Sequence, residues 1–174
     1  MSRRLSILAL WVAAVGALTG GASAQQSAQP QFKSGGLNVV VNRAVLNPAG
    51  GLVMSLVLTN PRDDGVEIFL VSQPTIIADV GGMAEAERVS GIPRCLSGLS
   101  FGDCVEAIER FRSLSATVID ASNSITVTLF FATRQNSKVC SVDFSMLAGV
   151  RRTGGRSQDS WQQITIGLPN IKVC

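Results

Sequence analysis

The sequence contains no histidine and no tyrosine among its 174 residues. Without imidazole there is no Ser-His-Asp or Cys-His nucleophile system and no H-E-x-x-H zinc site. Acid–base chemistry is left to carboxylates and lysines. Aromatic side chains are sparse, with 7 Phe and 2 Trp. No C-x-x-C spacing occurs, which together with the missing histidine argues against a zinc centre. Paired glycines stand at Gly35-Gly36, Gly50-Gly51, Gly81-Gly82 and Gly154-Gly155. None falls in a G-x-G-x-x-G or G-x-x-x-x-G-K-[ST] setting, so they read as tight connections, not as phosphate cradles.

What is present begins with an address. Arg3 and Arg4 precede a run from Leu5 to Leu18 that is apolar apart from Ser6 and Gly16, and Ala22-Ser23-Ala24 follows. A short positive region, an apolar stretch and an A-x-A end form a signal peptide, expected over residues 1–24 and cleaved before Gln25. The competing reading, a membrane anchor, needs roughly 20 apolar residues to cross the hydrocarbon core. Arg3-Arg4 also resembles a twin-arginine signal, but Ser6-Ile7-Leu8 departs from the usual continuation, and ordinary secretion is the expectation. Removing 24 of 174 residues leaves 150, with 13 basic residues facing 12 acidic ones. So balanced a charge predicts neither nucleic acid nor an anionic membrane as partner, and no membrane span is expected after cleavage. Cys95, Cys104, Cys140 and Cys174 are an even set in an exported chain and imply two disulfides, of three possible pairings. Cys95–Cys104, which staples a short loop, with Cys140–Cys174, which ties down the chain end, is preferred. Cys140 is expected on a buried strand face at the sandwich edge.

Residues 25–34 read as a polar, flexible lead, and residues 35–174 as one domain whose dominant period is two. Leu37, Val39 and Val41 alternate with polar neighbours. So do Leu52, Met54, Leu56 and Leu58; Val66, Ile68 and Leu70; Ile125, Val127, Leu129 and Phe131; and Val142, Phe144 and Met146. WQQITIGL adds a final strand. Such alternation predicts half-buried strands. Helical spacing is confined to EAIERFRSL, 106–114, with Ile108 and Phe111 inward, and to one turn in MAEAERV, 83–89. The expected fold is all-β: an antiparallel sandwich of about seven to eight strands with one or two short helical turns.

The stretch LVLTNPRDDGVEIFLV, and the later IDASNS leading into ITVTLFF, resemble immunoglobulin-like β-sandwich domains of secreted bacterial proteins. The resemblance implies architecture and export. The chain departs from antibody-type domains: it has no Tyr for a tyrosine corner and no Cys before position 95. Because that architecture hosts many functions, residues must be weighed one by one.

Asn60-Pro61-Arg62-Asp63-Asp64-Gly65 reads as a hairpin connection; the alternative is a calcium site of Asp63, Asp64 and Asp79. Two end loops are candidate binding surfaces. Residues 90–104 carry Arg94, Leu96, Leu99 and Phe101 on a braced loop, and residues 151–156 carry Arg151, Arg152 and Arg156. An unpaired edge strand is a further route to a partner. The expected function is an exported, non-catalytic binding or structural module of the bacterial cell envelope, periplasmic or secreted. Its partner would be an unidentified protein, with no cofactor and no metal. Two alternatives have different chemistry. A small secreted hydrolase would pair Glu85 or Glu87 with Glu106 or Glu109. A secreted protease inhibitor would present Arg94 to an acidic pocket.

Overall fold

The computed structural model describes residues 31–47, 51–111, 114–132, 139–154 and 160–174. Within them the chain forms ten strands and one helix. In order these are β1 (Gln31–Ser34), β2 (Leu37–Leu46), β3 (Gly51–Thr59), β4 (Gly65–Leu70), β5 (Thr75–Ala78), β6 (Met83–Ser90), α1 (Phe101–Glu109), β7 (Thr117–Ile119), β8 (Ser124–Ala132), β9 (Ser141–Thr153) and β10 (Gln162–Lys172). The named strands pair antiparallel throughout. One layer runs β1-β2-β3-β8 and ends on the C-terminal half of β6. The other contains β10, β9, β4, β7 and β5, with the N-terminal half of β6. This is an immunoglobulin-like antiparallel β-sandwich, with more strands than the alternation alone predicts because β1, β5 and β7 are too short to show a period.

The period-two faces meet in the middle. Leu52, Met54, Leu56 and Leu58 of β3, Val66, Ile68 and Leu70 of β4, and Val127, Leu129 and Phe131 of β8 are buried in one cluster. Val142, Phe144 and Met146 of β9 join it. Alternate burial of this kind fixes the register, since a one-residue slip would turn each apolar row to solvent.

Four expectations about elements and connections change. The stretch MAEAERV is strand β6, not a helical turn. Its residues pair with β5 through Thr75↔Glu85 and Ile76↔Ala84, then with β8 through Arg88↔Phe130 and Ser90↔Thr128. A register shift between Ala86 and Arg88 accompanies the change of sheet. Ladder bonds and burial of Ala86 outweigh the helical preference of Ala, Glu and Met. The helix starts earlier than residue 106, because Ser100 caps it. The Ser100 Oγ accepts from the Asp103 N–H at 3.2 Å, and the Asp103 carboxylate accepts from the Ser100 N–H at 3.0 Å. Phe111, expected inward, lies past its end and is exposed. The lead of 25–34 is shortened, since Gln31–Ser34 form β1 against β2; residues 1–24, and the rest of that lead, lie outside the described residues.

The fourth change concerns the Asn60–Gly65 bend. It is not a hairpin. It carries the chain from β3, which pairs with β2 and β8, to β4, which pairs with β7 and β9, and so links the two sheets. Asn60 holds this corner from a fully buried position. Its side-chain amide donates to the carbonyls of Asp64 at 2.6 Å, Ile119 at 3.1 Å and Asp120 at 3.2 Å, while its Oδ1 accepts from the Arg62 N–H at 3.1 Å.

Both disulfides take the pairing preferred from the sequence, Cys95–Cys104 and Cys140–Cys174. They differ in setting. Cys95 and Cys104 are buried, whereas Cys140 and Cys174 are exposed rather than buried at the sandwich edge, because Cys140 precedes β9 instead of joining its apolar face.

Candidate functional site

The outer face of the second sheet carries a small core of its own. On β4 the even-numbered side chains face the sandwich interior, so Glu67 and Phe69 face out. Phe69 is nevertheless buried, because Phe101, Val105 and Ile108 from the helix segment, with Trp161 and the Cys95–Cys104 bridge, pack over it. Its ring stacks on Phe101 with centroids 6.2 Å apart and meets Trp161 edge-on at 5.1 Å. Gly149 stands opposite Phe69 in the register, and a Cβ there would collide with the Phe69 ring. Arg151 clamps the assembly. It donates to Glu67 and Glu109, both through 2.7 Å bonds, and its guanidinium lies 4.6 Å from the centre of the Trp161 ring.

This arrangement reassigns three of the seven sequence candidates, Phe101, Arg151 and Arg152. Phe101 belongs to the small core and does not project for recognition. Arg151 and Arg152 lie in β9, not in a loop. Arg151 has a side chain only 11% exposed and two carboxylate partners. Arg152 pairs with Asp64 at 2.6 Å, and Arg62 reaches the same carboxylate at 3.2 Å. Partial desolvation works against the charged form of Asp64. The Arg152 hydrogen bond and charge, with Arg62 behind them, still hold its carboxyl below the usual value of 3.8. Arg156 lies outside the described residues. The two predicted end loops are also kept apart. Arg152 pairs with Val66 at the start of β4, and Arg94 bridges to Leu70 at its end. Four residues of strand separate those points by roughly 13 Å.

Arg94, Leu96 and Leu99 are exposed as expected, Leu96 to 75%. Arg94 does not sit on a protruding loop. Ile92 and Cys95 on either side are buried, and Leu70 holds the backbone by accepting from the Cys95 N–H at 2.8 Å and donating to the Pro93 carbonyl at 2.9 Å.

From this anchored position Arg94 forms one wall of a concavity of about 780 Å3 at the edge of the first sheet. The outward faces of β3 and β8 supply Val53, Thr128 and Phe130, β6 supplies Arg88, Val89 and Ser90, and Pro93 closes the side next to Arg94. Register makes this surface. Val53, Phe130 and Arg88 are consecutive cross-strand partners and therefore share one face. The Arg88 guanidinium lies 4.8 Å from the centre of the Phe130 ring. Among the described residues neither Arg88 nor Arg94 has a carboxylate within ion-pair distance. The groove thus offers two cations and one carboxylate, Glu87, around an apolar floor. Arg88 and Phe130 were not among the sequence candidates. Phe130 was legible as the one aromatic on the Thr-rich face of ITVTLFF; Arg88 was hidden by the helical reading of its segment.

Several of the carboxylates serve structural contacts. Glu106 pairs with Arg110 and Glu109 with Arg151, while Glu85 and Glu87 flank the point where β6 changes sheets. Asp79 accepts from the Ser141 N–H at 3.0 Å and the Cys140 N–H at 3.2 Å, pinning the β5–β6 turn to the start of β9. Asp64 is engaged with two arginines, so the set of Asp63, Asp64 and Asp79 considered for calcium is divided between different structural tasks. Among the described residues no three Cys, Asp or Glu side chains gather as a metal-binding group. Asp64 and Asp103, whose carboxyls are displaced by their surroundings, are both displaced downward, whereas a general acid working near neutrality needs the opposite. No helix among the described residues is long and apolar enough to cross a membrane.

No family model matches the sequence, and no curated protein sequence matches it either. Among solved structures the chain is similar to the GAE domain of yeast GGA1, at 10% identity and a TM-score of 0.43, over 82% of this chain and 100% of that one. It is similar to a DUF4426 family protein from Pseudomonas aeruginosa, at 10% identity and a TM-score of 0.34, over 83% and 96% of the two chains. It is similar as well to PapD-like domain 7 of human CEP192, at 12% identity and a TM-score of 0.35, over 87% and 97%. Likeness at this level carries nothing about function, and the sandwich assignment stands on the strand pairing itself.

Proposed function

We propose that the chain is an exported, non-catalytic binding module of the bacterial cell envelope that holds a protein partner in the groove at Arg88 and Arg94. The observation that carries this reading is the pair of arginines, neither in an ion pair among the described residues, beside the apolar floor of Val53 and Phe130. A desolvated aromatic flanked by arginine is the composition that dominates binding energy in protein interfaces. Export is supported by the Arg3-Arg4 and apolar N-terminal pattern and by two disulfides, which persist in oxidising compartments.

Ser90→p-benzoylphenylalanine tests the reading in the cell that makes the protein. Irradiation is expected to give one discrete adduct, lost when Phe130→Ala or Arg94→Glu is added while both disulfides and the β-type circular dichroism persist. An adduct unchanged by both substitutions overturns the assignment of the groove. The exposure of Arg94 meets one requirement of a second reading, a secreted protease inhibitor, while its anchored backbone lacks the protruding loop that such an inhibitor also needs. Stoichiometric inhibition of a trypsin-like protease, lost in Arg94→Ala, supports it, and unimpeded proteolysis of a standard substrate rejects it.

A further inference from the structure

The sheet edge beside Arg88 is open. β6 is the last strand of the first sheet, and its residues Arg88, Val89 and Ser90 pair with β8 on one side. On the other side the edge is occupied only up to Ala86. There the Ala86 N–H donates to the Pro74 carbonyl at 2.8 Å, and its own carbonyl accepts from the Gln73 side chain. From Arg88 to Ser90 no further backbone bond is made among the described residues. At Gly91, whose φ of 91° suits glycine, the chain turns against the Thr126 carbonyl and leaves for the second sheet, so the open stretch is bounded at both ends.

We infer that this edge receives an extended peptide carrying carboxylate and aliphatic side chains in alternation, added as a short strand beside Arg88–Ser90. The inference rests on the reading of the groove as a binding surface. Charge complementarity selects the occupant. Arg88 and Arg94 line the groove against a single acid, Glu87, which lies next to the occupied end at Ala86. The partner's carboxylates therefore belong on the face of the added strand that meets Arg88 and Arg94, and its aliphatic side chains, which alternate to the other face, beside Val89. Three residues of strand span about 10 Å, so main-chain pairing sets direction while side chains supply most of the affinity.

The test uses the processed, oxidised protein and fluorescein-labelled heptapeptides alternating Glu and Val, Gln and Val, or Lys and Val, read by fluorescence anisotropy. The Glu/Val peptide is expected to bind at least about tenfold tighter than the Gln/Val peptide, with the Lys/Val peptide weakest, and to weaken as salt rises. Arg88→Gln combined with Arg94→Gln is expected to remove that about tenfold preference. N-methylation of the Val residues is compared with N-methylation of the Glu residues, and the set whose N–H groups face the edge is expected to weaken binding by about tenfold when methylated, the other set not. Equal binding of the Glu/Val and Gln/Val peptides, or indifference to N-methylation on both faces, overturns the inference. Absence of peptide binding, with the Ser90 adduct still lost in Phe130→Ala, overturns the peptide class but leaves the groove as a binding surface. Absence of both removes the groove reading as well.

Discussion

Asn60 is the buried polar side chain on which the sheet-to-sheet corner turns, and its amide satisfies three carbonyls, of which the bond to Ile119 is buried and those to Asp64 and Asp120 are part-buried. Asn60→Ala leaves those acceptors short and is expected to lower the unfolding free energy by about 3 kcal/mol, read as a lower urea midpoint. Asn60→Asp is expected to be worse, since a carboxylate would face carbonyl oxygens. Asp64 supplies the pH dependence of the same corner. Its folded carboxyl titrates below its ordinary value, against partial desolvation, because Arg152 and Arg62 favour the charged form. Its stabilisation is therefore complete above the unfolded value of about 3.9 and disappears as pH falls through the lower folded value. Asp64→Asn is expected to be less stable than the parent at neutral pH, with the gap in urea midpoint closing below about pH 4. Asn60-Pro61 and Asp64-Gly65 mark a bend in the sequence without ambiguity. Whether the bend returns the chain to the same sheet or sends it to the other depends on partners 59 and 60 residues away, Ile119 and Asp120, and local chemistry does not encode that.

At the scale of elements, α1 is held by its cap, by the buried disulfide, and by Arg151 reaching from β9. The helix has nine residues, too few to persist alone in water. Replacing Cys95→Ala together with Cys104→Ala is expected to cost about 2.7 kcal/mol by loop entropy, and Ser100→Ala about 1 kcal/mol by loss of the cap. Both changes should raise amide hydrogen exchange in residues 101–109 well before any strand is affected. The long strands β3, β8 and β9 were legible because each is at least nine residues long and alternates over most of that length. β6 was not, because Ala, Glu and Met favour a helix and only its neighbours reveal a strand. The helix start was available from Ser100 and Asp103, a cap whose acidic partner is Asp rather than the commoner Glu. The groove was half legible: Arg94 and the outward Phe130 can be read from the chain, but their meeting with Arg88 depends on the register of β6 against β8.

For the whole molecule, the consequence of this design is two cores of unequal rank. The main one fills the sandwich and is built by strands far apart in sequence, so it forms and fails cooperatively. The small one, around Phe69, Phe101 and the Cys95–Cys104 bridge, lies on the outside of the second sheet. Two truncations separate them. Leu56→Ala empties a position at the centre of the main core and is expected to cost about 2–5 kcal/mol. It should lower the stability of every slowly exchanging amide in β3, β8 and β9 alike, because the sheets part together. Phe69→Ala removes a larger side chain and the rings' mutual contacts, a change of about 3–5 kcal/mol by size alone. Its effect should concentrate in α1 and the segment around Trp161, with the central strands retaining most of their protection. The measurement is native-state hydrogen exchange of both variants against the parent. Equal loss of protection across α1 and β3 in Phe69→Ala would mean that the helix side is part of the main cooperative unit, and that the groove edge at β6 cannot stand unless α1 is docked.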